Sequence, residues 1–241
     1  MTRPAAPRAC AHRGDSWTLR ENTLPAVRSA LAKGAAVVEI DVRLTADGDV
    51  VVLHDPTLAR LWGDPREIET VRTAELAAFG DADHRPPLLA EVLSLFADTD
   101  SRLVIDMDAV RPAAAAHAVV AASGVVVDWC GDLAAMRLLR ERDADARIWL
   151  PWAESEPPTA VDLDGLSPVL VNAPFAIVDR WFVDAVHALG LPVTAWTVDD
   201  ENDLARAFDL GVDTITTNRL DRLQAMIAAQ PLVLEPAEKN R

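Results

Sequence analysis

The chain has 241 residues, half of them hydrophobic and a quarter charged, which is the composition of a globular protein able to bury a substantial core. It contains no uninterrupted run of about eighteen apolar residues, so we expect no membrane-spanning helix and no stable membrane insertion. Its formal net charge of −15 argues against nucleic acid or an anionic lipid surface as an extended partner.

The first residues and the cysteines bear on the cellular compartment. Between Met1 and the polar His12-Arg13-Gly14 there is no apolar stretch of the kind found in a secretory signal, so we expect a cytoplasmic protein. The two cysteines, Cys10 and Cys130, have no metal-ligand spacing and lie in apolar runs, which predicts buried free thiols. The sequence leaves the number of subunits open.

Short β-type runs alternate with helical segments along the chain. The predicted strands cover residues 8–11, 36–44, 50–53, 102–105, 124–129, 147–150, 169–171, 192–198 and 214–216. The first predicted helix is capped by Asn22 or Thr23 and closed by Gly34. The later helices cover residues 73–79, 88–96, 113–122, 133–142, 178–189, 201–210 and 220–229. Residues 151–166 form a predicted loop and residues 230–241 a polar tail.

This alternation predicts the fold class. Roughly eight strands at about thirty-residue spacing, mostly separated by helices, are typical of βα units and a parallel barrel. No linker and no change of composition divides the chain. We therefore expect one α/β domain, a single (β/α)8 TIM barrel over residues 1–229.

Two carboxylates stand on one face of the second predicted strand. Side chains alternate along a strand, so Glu39 and Asp41 point to one side and Ile40 to the other. In an otherwise apolar strand the two acids repel each other unless a cation or hydrogen bonds compensate them. Hard oxygen ligands favour Mg²⁺ or Ca²⁺ over zinc, so the pattern predicts a divalent-metal site. The alternative is an exposed edge strand with a charged face.

Histidines follow two of the predicted strands. His12-Arg13-Gly14 lies where the first strand ends, which is the end where a parallel barrel places its active site. A solvated surface loop is the alternative for this segment. Asp47-Gly48 is a preferred two-residue hairpin turn; it would place Asp41 opposite His54 and return His54-Asp55 to the carboxylates.

Several motifs, in one order, resemble the glycerophosphodiester phosphodiesterases. They are His12-Arg13-Gly14, Glu21-Asn22-Thr23, Glu39-Ile40-Asp41, the turn from Thr45 to Gly48, and His54-Asp55. Residues 87–93, 195–199 and 211–219 look like later motifs of the same family. Residues from about 110 to 190 match the family only in their alternation of strands and helices. Each motif is short, but together they cover nearly the whole chain.

The resemblance implies a barrel hydrolase that cleaves a small-molecule glycerophosphodiester to glycerol 3-phosphate and an alcohol. It also implies a divalent metal, Mg²⁺ or Ca²⁺, as the cofactor. It makes Glu39 and Asp41 metal ligands, joined by an acidic residue on a later strand, which is Asp106 in this chain.

The resemblance also implies roles in proton transfer and substrate binding. It makes His12 and His54 the acid/base pair and Arg13 a phosphate contact, and histidine titrates close enough to neutrality for either role. We place Trp196 at the mouth of the barrel as an apolar wall for the substrate. An ordinary core tryptophan is the alternative for this residue.

One strand departs from the family pattern. Where the family has Glu-x-Lys, this chain has Asp106-Met107-Asp108, so a carboxylate stands in place of a phosphate-binding lysine. Three interpretations stay open: an active enzyme that relies on Arg13 and the metal, an enzyme for an unusual substrate with a cationic group, or a catalytically silent barrel that binds metal or phosphate. A lysophospholipase D-like hydrolase is a further alternative, and it would need an apolar groove at the mouth.

Overall fold

The computed structural model describes residues 6–230, and the predicted tail lies almost entirely outside them. The strands are β1 (Arg8–His12), β2 (Val37–Leu44), β3 (Val50–Val52), β4 (Arg102–Met107), β5 (Val127–Gly131), β6 (Arg147–Pro151), β7 (Leu170–Pro174), β8 (Val193–Trp196) and β9 (Thr214–Thr217). The α-helices are α1 (Leu24–Ala32), α2 (Ala59–Trp62), α3 (Leu89–Leu93), α4 (Ala113–Ser123), α5 (Leu133–Arg142), α6 (Arg180–Ala188), α7 (Glu201–Leu210) and α8 (Leu220–Ala228). None of the helices in the described residues is both long and apolar enough to cross a membrane.

Eight of the strands close into a parallel barrel. Neighbouring strands follow the order β1-β9-β8-β7-β6-β5-β4-β2, and pairing between β1 and β2 closes the ring. Helices lie between successive barrel strands except between β6 and β7, where residues 152–169 form turns and coil, close to the predicted loop. The prediction of a single (β/α)8 TIM barrel is confirmed.

Alternation along the strands divides the core into two parts. Side chains that point outward, such as Ile40 and Ile105, pack against the surrounding helices in one large apolar cluster. The inward side chains form a second, smaller cluster: Cys10, Val37, Val104, Cys130, Trp149 and Leu170. Both cysteines are therefore buried free thiols, as predicted. Because the barrel interior is filled by side chains, a ligand finds room only at an end of the barrel.

The hairpin formed by β2 and β3 differs from the prediction. The pairs are Val42 with Val52 and Leu44 with Val50, so Asp41 lies opposite Leu53 and not opposite His54. The reason is a longer loop: the backbone N–H of Thr45 donates to Asp49 O, which leaves three residues between them. Gly48, with φ of +85°, takes the left-handed conformation that ends such three-residue turns. The predicted register was wrong by one residue.

Other boundaries shifted for local reasons. The predicted strand over residues 124–129 begins instead at Val127, because Gly124 ends α4 with φ of +72°. Residues 73–79 form a 3-10 helix. This helix belongs to the segment between β3 and α3, which buries a small core of its own composed of Val51, Leu53, Leu58, Ile68, Val71 and Leu76. The Thr23 side chain caps α1, as predicted.

Gly131 has very little room for a side chain. Its φ is +111°, and a Cβ would lie 2.1 Å from Met107 O and 2.6 Å from Asp106 Oδ1. We expect Gly131→Ala to lower the free energy of unfolding by roughly 3 kcal/mol or more, because backbone of the neighbouring strand must move. Gly124→Ala is the control: its φ is also positive but nothing lies within 4 Å, and we expect a loss of about 1 kcal/mol. Equal losses in chemical denaturation would contradict this account.

Candidate active site

A pocket opens at the carboxyl ends of the barrel strands. It is lined by His12, Arg13, Glu39, Asp41, Val42, Arg43, Leu53, His54, Val104, Asp106, Met107, Asp108, Cys130, Trp149, Asn172, Trp196 and Thr216. All seven residues predicted for catalysis, substrate binding and metal binding are among them. Their roles remain predictions, but the structure brings every one of them to the same place.

The register of three neighbouring strands explains this convergence. His12 on β1 lies beside Glu39 on β2, and Asp41 on β2 lies beside Asp106 on β4. Because the strands are parallel, residues at equal height share the inward face at the same end of the barrel. The alternative of an exposed edge strand does not hold for β2, which pairs with β1, β3 and β4.

The carboxylates of the pocket are crowded and poorly solvated. Burial, together with the charges of Asp41 and Asp106, raises the pKa of Glu39 well above its usual value. Burial and the charge of Asp41 raise the pKa of Asp106 to about 7. Four carboxylates, including Asp108, line the pocket against two arginines, so a divalent cation would bring the fully ionised site to neutrality. The pocket thus favours a bound cation.

Arg13 is the cation that contacts Glu39 and Asp41 in the structure. Its backbone N–H donates to Glu39 Oε2 at 2.9 Å, and its Nη1 donates to Glu21 Oε1 at 2.8 Å. Its Nε lies 3.1 Å from Asp41 Oδ2 but is not aligned for a hydrogen bond, and it has no acceptor among the described residues. Despite burial, the charges of Asp41, Glu39 and Glu21 raise the pKa of Arg13. A buried donor without an aligned acceptor is costly, and the adjacent Asp41 carboxylate is the anion that offsets this cost.

Glu39, Asp41 and Asp106 have the kind of ligand atom that binds a divalent metal, but their carboxylates do not surround a common point. Within residues 6–230, no three histidine, cysteine or acidic side chains form a cluster that encloses an ion. Asp41 is engaged instead: Asn22 Nδ2 donates to Asp41 Oδ2 at 2.7 Å, and Arg13 lies beside the same oxygen. The oxygen atoms of Glu39, Asp41 and Asp106 are hard ligands of the kind that Mg²⁺ and Ca²⁺ prefer.

His12 is held in one orientation by residues that the sequence analysis missed. Its Nδ1 lies 2.8 Å from Asn218 Oδ1, and Asn218 Nδ2 donates to Asp199 Oδ2 at 2.6 Å. The second contact fixes the amide with its oxygen toward His12, so Nδ1 carries the proton and Nε2 is left for the pocket. Burial and the neighbouring Arg13 lower the pKa of His12, which favours the neutral ring. The motif Thr217-Asn218-Arg219 was the available signal for this residue.

His54 belongs to a second chain of polar contacts. Its Nδ1 lies 2.7 Å from Asp55 Oδ1, so Nδ1 carries the proton here too. Arg60, on α2, donates from Nε to Asp55 Oδ2 at 2.7 Å and from Nη2 to Glu21 Oε1 at 2.7 Å. Glu21 in turn accepts from Arg13. Through Asp55 and Glu21, Arg60 therefore connects His54 to Arg13. We did not predict this role from the sequence.

Asp108 is not an isolated negative charge. Its Oδ2 pairs with Nη2 of Arg43, whose Nε donates to the backbone oxygen of His54 at 2.7 Å. We expected only Arg13 and the metal to make up for the missing family lysine, and Arg43 was not among the candidates. Strand alternation was the available signal, since Glu39, Asp41 and Arg43 share one face of β2.

The mouth of the pocket is partly apolar. Trp196, at the end of β8, is 41% exposed and lines the pocket, so it is not an ordinary core residue. A groove continues from this point along Leu133, Pro151, Trp152 and Ala153, and it shares Asp106, Met107, Asp108, Cys130, Asn172 and Trp196 with the main pocket. The site therefore joins a polar interior to an apolar rim.

A closed parallel barrel whose polar side chains converge at the carboxyl ends of the strands places the chain in the class of (β/α)8 barrel enzymes. A model of the Glycerophosphoryl diester phosphodiesterase family matches residues 12–222, and the chain belongs to this family. The predictions of family and of enzyme class are confirmed.

Individual relatives agree with this assignment. The chain is 31% identical to the protein named "Probable glycerophosphodiester phosphodiesterase 2" of Mycobacterium tuberculosis, over 92% of this chain and 91% of that one. It is 26% identical to a glycerophosphodiester phosphodiesterase of Caldanaerobacter subterraneus subsp. tengcongensis, over 86% and 92% of the two chains. Its fold is similar to that of an Oleispira antarctica phosphodiesterase solved with the product sn-glycerol-3-phosphate, with a TM-score of 0.82, 23% identity, and 93% and 98% coverage.

The link through Arg60 predicts a pH dependence of stability. The hydrogen bond from Arg60, followed by that from His54, lowers the pKa of Asp55 despite burial. A depressed pKa means that the stabilisation is complete above the ordinary aspartate value of about 3.9 and is lost as the pH falls through the folded value. We expect Arg60→Gln to raise the pKa of Asp55 and to cost about 1 kcal/mol of unfolding free energy near neutral pH, a difference that shrinks below about pH 4.

Carbon-13 NMR titration of the Asp55 carboxyl and denaturation at several pH values measure this effect. The matched control is Arg66→Gln, because Arg66 pairs with Asp64 and Glu75 in the same segment but does not touch Asp55. An unchanged Asp55 pKa in Arg60→Gln would remove Arg60 from the network.

Proposed function

We propose that this protein hydrolyses glycerophosphodiesters to glycerol 3-phosphate and an alcohol, with a divalent metal as cofactor. The observation that supports this most directly is the convergence of His12, His54, Arg13 and the Glu39–Asp41–Asp106 acids on one pocket of a family barrel. The substrate is a small molecule. We keep a cytoplasmic location and the absence of a nucleic acid partner as parts of the proposal.

The two histidines have the arrangement that acid/base catalysis needs. Each has Nδ1 engaged, His12 with Asn218 and His54 with Asp55, so each can exchange a proton with substrate through Nε2. One histidine, with Nε2 unprotonated, takes the proton of the attacking hydroxyl group, and the other, which must carry a proton on both ring nitrogens, donates the Nε2 proton to the departing alkoxide. Arg13 neutralises charge on the phosphate oxygens.

The nucleophile is the neighbouring glycerol hydroxyl in our proposal, and water then opens the cyclic phosphate. Comparison of a glycerophosphodiester with an analogue that lacks this hydroxyl decides the point. Equal hydrolysis of both would rule out the cyclic route.

Glu39, Asp41 and Asp106 would hold the metal. When bound, it would polarise the phosphate and offset the charge of the diester. The raised pKa values of Glu39 and Asp106 record the cost of keeping these acids together without a cation, and that cost supports the assignment.

A second candidate is cleavage of lysophospholipids by the same site. The observation in its favour is the apolar groove that runs from Trp196 past Trp152 and Leu133, continuous with the main pocket. Leu133 is 42% exposed there and adds apolar surface to the groove. An acyl chain laid in this groove would bury it.

The primary test measures release of glycerol 3-phosphate from glycerophosphocholine and glycerophosphoethanolamine, with Mg²⁺, with Ca²⁺ and with excess chelator. We expect metal-dependent release, reduced about 10²–10⁴-fold in His12→Ala and in His54→Ala because proton transfer is lost. His84→Ala is the control, since His84 lies on the surface beside Asp81. Folded protein that releases nothing in any condition would favour a catalytically silent barrel.

The groove gives a separate prediction. If it holds an acyl chain, Trp152→Ala should raise KM for a lysophospholipid about tenfold and leave KM for glycerophosphocholine within about twofold, because a lost aromatic contact weakens only the apolar part of the substrate. Trp181→Ala, at an exposed tryptophan outside both pockets, is the control. Equal KM changes for the two substrates would argue against the lysophospholipid candidate.

A further inference from the structure

Arg43 and Asp108 form a charge pair inside the pocket of the proposed function. Asp41 and Asp106 lie side by side in the paired strands, so two residues further along each strand Arg43 meets Asp108. Both side chains are on the inward face and line the pocket. The family pattern expects a cation at position 108, whereas here the acid occupies that position and a cation stands on the strand beside it.

We propose that Arg43 supplies the phosphate-binding cation that the family takes from the later strand, and that Asp108 positions it. This inference rests on the proposed function for its ligand, a phosphate monoester or diester. In the family pattern the second cation follows β4, whereas in this chain it lies on β2. The pocket therefore still has two cationic groups, Arg13 and Arg43.

The contacts of Arg43 fit this role. Its side chain is 17% exposed, and its recorded hydrogen bonds use Nε, to His54 O, and Nη2, to Asp108. Within the described residues, Nη1 makes no hydrogen bond to the protein. The two anchored nitrogens hold the planar guanidinium at the pocket wall, and the third leaves a donor for a phosphate oxygen.

The pairing also accounts for the tolerance of Asp108. A carboxylate at that position would repel an anionic substrate if it stood alone. Here its nearest cation is Arg43, and its side chain is 61% exposed, so water screens it on the outer side. The pair presents the positive member to the pocket and the negative member largely to solvent.

Titration calorimetry with sn-glycerol 3-phosphate in saturating Mg²⁺ tests the assignment without requiring turnover. We expect Arg43→Gln to weaken binding about 10- to 100-fold, because a charge-assisted contact to phosphate is lost. Arg43→Lys should lose less, since it keeps the charge. The matched control, Arg66→Gln, should bind like the wild type because Arg66 lies outside the pocket.

A double-mutant cycle tests whether Arg43 replaces the cation that the family pattern expects at position 108. Asp108→Lys should strengthen binding about tenfold or more in the Arg43→Gln background, and change it much less in the wild type, where Arg43 already serves the phosphate. Equal effects in both backgrounds would overturn the proposal. So would unchanged affinity in Arg43→Gln, or no binding to the wild type at millimolar ligand.

A fallback variant and a comparison of binding with hydrolysis complete the test. If Arg43→Gln does not fold by circular dichroism, Arg43→Lys and the double variant supply the comparison. A wild type that binds glycerol 3-phosphate but hydrolyses no diester would contradict the proposed function and leave the Arg43 result intact. Hydrolysis by the wild type with unchanged KM and affinity in Arg43→Gln would contradict only the assignment of Arg43.

Discussion

The site depends on the register of three adjacent parallel strands. Because His12 pairs with Glu39, and Asp41 on the same face of β2 pairs with Asp106, four ionisable groups lie on two successive inward levels of the barrel wall. Hydrogen bonds of the sheet fix that register, so the acids cannot separate to relieve their repulsion. The cost appears in the raised pKa of Glu39 and of Asp106. The folding free energy of the barrel therefore offsets the repulsion between these acids and keeps the potential metal ligands together.

Each of the two pocket histidines is held by a hydrogen-bond partner. Asn218, after β9, orients His12, while Asp55 orients His54 and is itself held by Arg60 from the segment after β3. Asn218 and His12 are 206 residues apart in the chain and are neighbours because β1 pairs with β9. A site built this way is pre-organised, since the protein has already met the entropic cost of ordering its groups.

The sequence was a good guide to features that follow strand periodicity. Alternation along β2 predicted that Glu39 and Asp41 share a face, and the βα rhythm predicted the barrel. It was a poor guide to features set by a single backbone bond: the contact between Thr45 and Asp49 lengthened the hairpin loop and shifted its register. Partners distant along the chain, such as Asn218 and His12, could not be paired because no local pattern joins them. Alternation along β2 also places Arg43 on the face of Glu39 and Asp41, but we did not predict a role for it.

A chain with a net charge of −15 that binds a phosphodiester poses an apparent contradiction, which the scale of the interactions resolves. Charges on the surface are screened over about 8 Å at physiological ionic strength, whereas groups inside the pocket act at contact distance in a less polar medium. Arg13 and Arg43 both face that pocket, and with a divalent cation to offset its four carboxylates a small diester would meet local cations there. An extended polyanion would remain in the field of the acidic surface. The same charge distribution therefore supports the proposal of a small phosphodiester, and not nucleic acid, as the partner.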